Sequence, residues 1–180
     1  MKAEGFFYFH IFTQLYYKDT MIRPVTLQDA SAITAMYNEY VEHSVVTFET
    51  VPVTEDQMRA RIAETILSYP YIVYEEDGQV IGYSYAHAWK ARKAYQQTAE
   101  TAIFVHPDHK RKGIGYQLVQ QLIEECRQRN FHVLIACITA TNTASVVMHQ
   151  KLGYQQVSLY HEVGWKFNQW LDVAEYELIL

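Results

Sequence analysis

Between residues 100 and 129 a strand pattern runs through a basic loop straight into a helix pattern. Glu100–Val105 alternates and then turns apolar, Pro107 ends it, and His109-Lys110-Arg111-Lys112 leads to glycines at 113 and 115. From Gly113 to about Arg129, Ile114, Leu118, Leu122, Ile123 and Cys126 form one stripe at helical spacing. A strand that feeds an amphipathic helix must bury that helix's apolar face against a sheet. The next apolar run, His132–Ile138, reads as the strand that follows. Such a long crossover between strands implies at least one parallel pair near the middle of the sheet.

The remaining pattern is consistent with this. Ile22–Val25 reads as a short strand. Thr26-Leu27-Gln28-Asp29 reads as a capping box before a helix carrying Ala30, Ile33, Met36, Tyr37, Tyr40 and Val41. A second box at Thr54–Gln57 opens a helix to about Ser68, which Pro70 stops. Tyr71–Tyr74 and Gln79–His87 flank Asp77-Gly78, a hairpin signal. Asn142–Leu152 reads as a helix closed by Gly153, and Gln155–Leu180 as two strands with Gly164 at the turn between them. The order β-α-α-β-β-β-α-β-α-β-β predicts an α/β fold: a mixed, twisted central sheet with helices on both faces. At 180 residues the chain is expected to form one domain over 21–180, preceded by an aromatic extension over 1–20. That extension lacks the small-residue cleavage site of a signal peptide.

Consecutive N–H groups at a helix start, with no Cβ at Gly113 and Gly115, form an anion site, and Lys110, Arg111 and Lys112 add positive charge. The expected ligand is a phosphate or pyrophosphate. The Walker pattern is absent, and the dinucleotide fingerprint fails because Leu118 stands where its third glycine belongs. A net charge of −5 argues against a nucleic-acid partner, and no apolar run reaches the ~18 residues needed to cross a bilayer. Cys126 and Cys137 read as buried thiols of a reducing, cytoplasmic compartment. The histidines show no metal-ligand spacing, so no metal is expected.

Val105 through Tyr116 resembles the acetyl-CoA motif of the GNAT acetyltransferases, Gln/Arg-x-x-Gly-x-Gly/Ala, with Lys110 in the first place. The resemblance extends over residues 22–180 and is nearest the phosphinothricin N-acetyltransferase-like branch. It rests also on Thr47-Phe48-Glu49, on Trp89 to Tyr95, on Glu100, on Asn142 to His149, on Leu152-Gly153-Tyr154, and on Gly164-Trp165-Lys166 with Trp170 to Val173. It implies a GNAT fold in which two central parallel strands splay to admit acetyl-CoA. It also implies acetylation of the amine of a small acidic, amino-acid-like substrate by direct transfer, and a homodimer.

The implied reaction needs a base to free the amine's lone pair, a donor for the developing oxyanion, and an acid for the departing thiolate. Glu100 matches the family's base. The backbone of Ile103, Phe104 and Val105 would pair with the pantetheine arm, and an N–H near Val105 would face the oxyanion. Arg111, Lys112, Gly113, Ile114, Gly115 and Tyr116 would hold the pyrophosphate. Asn142 would bond the arm and also cap its helix. His149, two turns along the same face, would serve as the acid or as an anchor. Lys90, Arg92 and Tyr95 would bind the acidic substrate, with Phe48 closing the apolar side. Two alternatives are an acetyltransferase for a protein N-terminus or a polyamine, which Lys90 and Arg92 would repel if it were polycationic, and a non-catalytic acyl-CoA sensor, which has no need of Glu100.

Overall fold

The computed structural model describes residues 20–180; the extension expected over residues 1–20 lies, but for its last residue, outside them. The strands are β1 (Thr20–Pro24), β2 (Tyr71–Glu76), β3 (Gln79–Ala88), β4 (Thr98–Val105), β5 (Val133–Thr139), β6 (Gln155–Lys166) and β7 (Gln169–Ile179). The helices are α1 (Ala30–His43), α2 (Glu55–Thr65), α3 (Ile114–Gln128) and α4 (Thr143–Lys151). The strands form one sheet in the order β1-β2-β3-β4-β5-β7-β6. Every neighbouring pair is antiparallel except β4 with β5.

Local chemistry accounts for the element ends. Both capping boxes form: Thr26 with Asp29 ahead of α1, and Thr54 with Gln57 ahead of α2. Asp29 is also clamped by Arg23, whose guanidinium donates to both of its oxygens at 2.8 and 2.9 Å. Burial alone would raise the Asp29 pKa, but the bonds from Arg23 and Thr26 bring it below the ordinary value. Asp77 and Gly78 both take positive φ, the geometry that joins β2 to β3 by a two-residue hairpin.

One expected turn is elsewhere. Gly164 lies inside β6, and the β6–β7 hairpin turns at Phe167-Asn168, with φ of 52° and 57°. The left-handed pair is supplied by Asn168 and, against its usual preference, by Phe167. Gly164 is needed for a different reason, given below.

Helices cover both faces. On one, α1 and α2 pack Ile33, Met36, Tyr37 and Ile62 over Tyr71, Val73, Tyr83 and Phe104. On the other, the stripe of α3 (Leu118, Leu122, Ile123 and Cys126) packs over Ile72, Ile81, Ala99 and Leu134. The α3 side chains Leu118, Leu122 and Cys126 are fully buried. At about 25 cal/mol per Å² of apolar surface, that stripe is what holds the crossover on the sheet.

The parallel pair is short. β4 and β5 match only at Thr98–Val133, Ala99–Leu134 and Glu100–Ile135. Beyond that, β4 continues to Val105 paired with β3, while β5 continues to Thr139 paired with β7. The two central strands therefore diverge from Glu100 onward, and the Thr101 hydroxyl closes the apex with a 3.3 Å bond to the Ile135 carbonyl.

Candidate active site

The divergence leaves one edge of β4 without a strand neighbour. Backbone groups along a strand point alternately to its two sides. The His106 N–H bonds to Ile81 of β3 at 2.8 Å, so those of Val105 and Ile103 point to the side that β5 has left. The Val105 carbonyl there accepts from the Tyr40 hydroxyl of α1 at 2.5 Å. The side chains of Ile103 and Val105 pack toward α3, whereas Phe104 is buried on the α1 face, edge-on to Tyr37 and Tyr40 and stacked on Tyr83.

The chain leaves the open end of β4 through a short helical turn, Pro107–His109, and reaches α3 at the expected glycine. Gly113 sits at φ 79°, and Arg111 at φ 64°. This alternation turns successive N–H groups to one side, and the helix start adds the unbonded N–H groups of Ile114, Gly115 and Tyr116. The first helical bond is Gln117 N–H to the Gly113 carbonyl. Gly115 lies against Ile103, Val105 and Met148, which brings this N-terminus down onto the diverged edge. Arg111, Lys112 and Tyr116 are exposed, and Lys110 lies 4.8 Å over the Tyr40 ring. A groove of about 480 Å³ lined by Tyr116, Gln120, Lys151 and Leu152 runs between α3 and α4.

From β5 the chain enters α4. Asn142 is its N-cap, its side-chain oxygen accepting from Ser145 N–H at 3.3 Å. His149 is 2 % exposed. Its Nδ1 lies 2.9 Å from the Ser145 carbonyl, an obligate acceptor, so Nδ1 carries the proton and Nε2 the lone pair. Tyr154 meets the ring edge-on at 5.0 Å. Burial pulls the His149 pKa below its ordinary value, against the opposing effect of the Ser145 carbonyl.

Glu100 occupies the α1 face at the apex of the divergence. It pairs across β3 with His87, whose Nε2 is 3.9 Å from its carboxylate. A ladder of stacked tyrosines, Tyr71, Tyr83 and Tyr85, leads along this face to His87. The loop after α1 closes over the same face. The Val45 carbonyl accepts from Thr139 of β5 at 2.7 Å, and the Thr47 hydroxyl bonds Tyr37 at 2.9 Å. The Thr47 carbonyl accepts from the buried Lys166 ammonium of β6 at 2.8 Å. Desolvation lowers the Lys166 pKa. Glu49 is paired with Arg61 at 2.7 Å. Phe48, 40 % exposed, lies directly on Gly164.

The structure brings Lys90 and Tyr95 together: the ammonium is 3.7 Å over the Trp89 ring and 5.5 Å from that of Tyr95. Arg92 is exposed, and its carbonyl accepts from Tyr95 N–H. This segment joins β3 to β4 at the Glu100 end. Cys126 is buried as expected; Cys137 is instead exposed, because β4 no longer covers β5 at its level. Its thiol is pushed up to about 12 by partial desolvation and by Glu100 and Glu175, which leaves it protonated and not nucleophilic at neutral pH. Among the described residues no group of three or more His, Cys, Asp or Glu could hold a metal ion. The tyrosine ladder and Arg61 were missed by sequence reasoning, and Lys166 entered only within the segment Gly164-Trp165-Lys166, without a role. The alternation of Tyr83, Tyr85 and His87 on one face of β3 was the available signal.

A family model described as an acetyltransferase (GNAT) domain matches residues 22–174. An L-methionine sulfoximine/L-methionine sulfone acetyltransferase of Salmonella typhimurium is 36 % identical over 160 residues, 88 % of this chain and 94 % of that protein. A phosphinothricin N-acetyltransferase of Alcaligenes faecalis is 37 % identical over 155 residues, 85 % of this chain and 79 % of that one. The structure of a GNAT superfamily phosphinothricin acetyltransferase from Sinorhizobium meliloti, in complex with acetyl-CoA, superposes with a TM-score of 0.87 at 34 % identity, covering 89 % of this chain and 88 % of that one. With its central strands diverging beside a helix that opens on a glycine loop, this chain belongs to the GNAT acetyltransferase family.

Proposed function

We propose that this chain transfers the acetyl group of acetyl-CoA to the amine of a small, amino-acid-like acceptor. The observation that carries the reading is the divergence of β4 and β5 beyond Glu100, with the N-terminus of α3 set against the freed edge. That edge suits an extended chain carrying amides, and the helix start suits a pyrophosphate, so the residues fit acetyl-CoA. Acetyl-CoA supplies the activated acetyl thioester. The backbone of Ile103, Phe104 and Val105 aligns the pantetheine arm. Arg111, Lys112, Gly113, Ile114, Gly115 and Tyr116 hold the pyrophosphate, and Asn142 bonds the arm. The free N–H of Val105 is the donor for charge developing on the thioester oxygen.

On the opposite face, Glu100 takes the proton that an ammonium must lose before it can attack. His149 is an anchor: its proton is committed to Ser145 and its Nε2 is an acceptor at neutral pH, so it holds a donor group and does not supply a proton. Phe48 closes the apolar wall of the acceptor pocket, with Lys90, Arg92 and Tyr95 receiving the acceptor's carboxylate. The relatives' names, which specify methionine sulfoximine, methionine sulfone and phosphinothricin, support an amino-acid-like acceptor. Residues 21–180 act as one domain. A homodimer is supported by the apolar side chains that the β6–β7 hairpin leaves exposed: Val157, Leu159, Val163, Trp165, Phe167 and Trp170. The two thiols, with no disulfide between them, suit the cytoplasm.

The test is thiol release from acetyl-CoA against a panel of amines, with Glu100→Gln beside the wild type. Loss of a general base is expected to lower kcat by about 10²–10⁴-fold while the acetyl-CoA Kd stays unchanged. Equal turnover by the variant removes Glu100 from the chemistry. Tight acetyl-CoA binding with no amine-dependent release would make the chain a sensor.

A further inference from the structure

β7 brings a second carboxylate to the face that carries Glu100. Ile135 pairs with Glu100 on one side; two residues on, Cys137 pairs with Glu175 of β7. Side chains aligned across adjacent strands share a face, and residues two apart along one strand do too. Glu100, Cys137 and Glu175 are therefore all on the α1 face, where the α1–α2 loop closes over the divergence. The Cys137 sulfur lies 3.8 Å from Glu175 Oε1, and the Glu100 and Glu175 carboxylates, after desolvation, both help to raise its pKa.

The Glu175 carboxylate is held at one oxygen and open at the other. Oε2 accepts from the Ser158 and Tyr160 hydroxyls of β6, both at 3.1 Å. Oε1 meets only the weak thiol donor of Cys137 and keeps acceptor capacity. Among the described residues, the one basic side chain within 4.0 Å of either carboxylate is His87, at 3.9 Å from Glu100, a cation only when protonated. By register Glu177, opposite Ile135, shares this face too. The cations placed there are engaged elsewhere, Arg61 with Glu49 and Lys166 with the Thr47 carbonyl, and among the described residues no lysine or arginine is paired with Glu100 or Glu175. Lys90 and Arg92, on the β3–β4 connection, are left to take the α-carboxylate common to amino acids.

We propose that Glu175 is a specificity-determining residue for the acceptor: with Glu100 it forms a doubly anionic end of the pocket that favours amino acids with a cationic group beyond the reactive amine over those with an anionic one. The inference rests on the acetyl-transfer reading above. A second cation on the acceptor is attracted by Oε1, and a second anion is repelled by it, so the residue separates acceptors by sign of charge.

The experiment compares wild type with Glu175→Gln and Glu175→Asp on ornithine, methionine sulfone and phosphinothricin, which end in a cationic, a neutral and an anionic group. Gln keeps an oxygen for Ser158 and Tyr160, and thermal unfolding with the acetyl-CoA Kd checks that each variant is intact. Wild type is expected to favour ornithine over phosphinothricin in kcat/KM. Glu175→Gln should lower the ornithine-to-phosphinothricin ratio about tenfold or more, leave methionine sulfone within about twofold, and leave the acetyl-CoA Kd unchanged. Glu175→Asp, which keeps the charge, should retain the order of preference. An active wild type that favours phosphinothricin, or a ratio unmoved by Glu175→Gln, overturns the role of Glu175 alone. A wild type that binds acetyl-CoA but releases thiol with none of the acceptors overturns the acetyl-transfer reading as well.

Discussion

Gly164→Ala tests the acceptor wall at a point remote in sequence from the proposed chemistry. A Cβ at Gly164 would overlap Phe48 Cε1 and stand 2.6 Å from Cζ and 2.7 Å from Cδ1. Carbon atoms in contact keep about 3.5–4.0 Å apart, so the ring must move by roughly 1 Å or more. β6 pairs with β7 at Gly164 and Trp165, opposite Leu171 and Trp170, and shifts register between Tyr160 and Gly164, so the backbone is held at the substituted residue and the ring is the part that moves. Phe48 is already 40 % exposed and has solvent to swing into. A Phe side chain buries about 150–250 Å², so releasing the covered part forfeits roughly 100 Å², or about 2–3 kcal/mol at ~25 cal/mol per Å². Replacing glycine in a strand by alanine returns about 0.5–1 kcal/mol. The net loss of about 1–2 kcal/mol should lower Tm by about 2–8 °C in a chain of this length. The functional effect should be larger: KM for the acceptor is expected to rise about tenfold, with kcat at saturation and the acetyl-CoA Kd little changed. Thermal unfolding, steady-state kinetics and a double-mutant cycle with Phe48→Ala provide the measurements. In the cycle the Gly164→Ala penalty should shrink by at least 1 kcal/mol once the ring is gone. An unaltered acceptor KM, or additive effects in the cycle, would refute the reasoning.

Two further predictions concern the cofactor side. At Gly113 an added Cβ would meet only Gln117 Nε2, at 3.9 Å, so Gly113→Val does not crowd the loop; its cost is the φ of 79°. Holding a β-branched residue there costs about 1–3 kcal/mol, and the acetyl-CoA Kd measured by calorimetry should weaken about tenfold or more as the loop relaxes; an unchanged Kd removes the loop from pyrophosphate binding. His149 has its pKa pulled below the ordinary 6.5 by burial, so below that pH the unfolded chain holds more protons than the folded one. Its stability contribution is then complete above about 6.5 and lost as pH falls through that window toward the folded value. Urea midpoints should fall between pH 7.5 and 5.5 in the wild type and less so in His149→Gln; parallel slopes would show that His149 is not the group responsible.

Much of the cofactor side could be read from the chain because its parts are consecutive. The strand before the loop, the basic residues, the two glycines and the apolar stripe of α3 are contiguous in sequence, and each is dictated by local geometry. The N-cap of α4 and both capping boxes belong to the same class. His149 could be placed on the helix, but its burial and the commitment of Nδ1 to Ser145 depend on how α4 docks, and the proposed anchor role rests on these. Cys137 was expected, like Cys126, to be a buried thiol. Its exposure follows from β4 turning away two residues earlier.

By itself, the sequence determined which segments are strands and helices, that a parallel pair lies near the middle of the sheet, and which loop has the local form of an anion site. These are periodicities of two and 3.6 residues and the conformational needs of single turns, all short-range. Only the tertiary structure decided that β7 lies between β5 and β6, that β4 and β5 part after Glu100, that Gly164 is a seat for Phe48 and not a turn, and that Glu175 shares a face with Glu100. Alternation marks a strand without naming its partner or its register. Which carboxylates and which aromatic rings meet is set by long-range pairing, and the acceptor side of this enzyme is built almost entirely from such meetings.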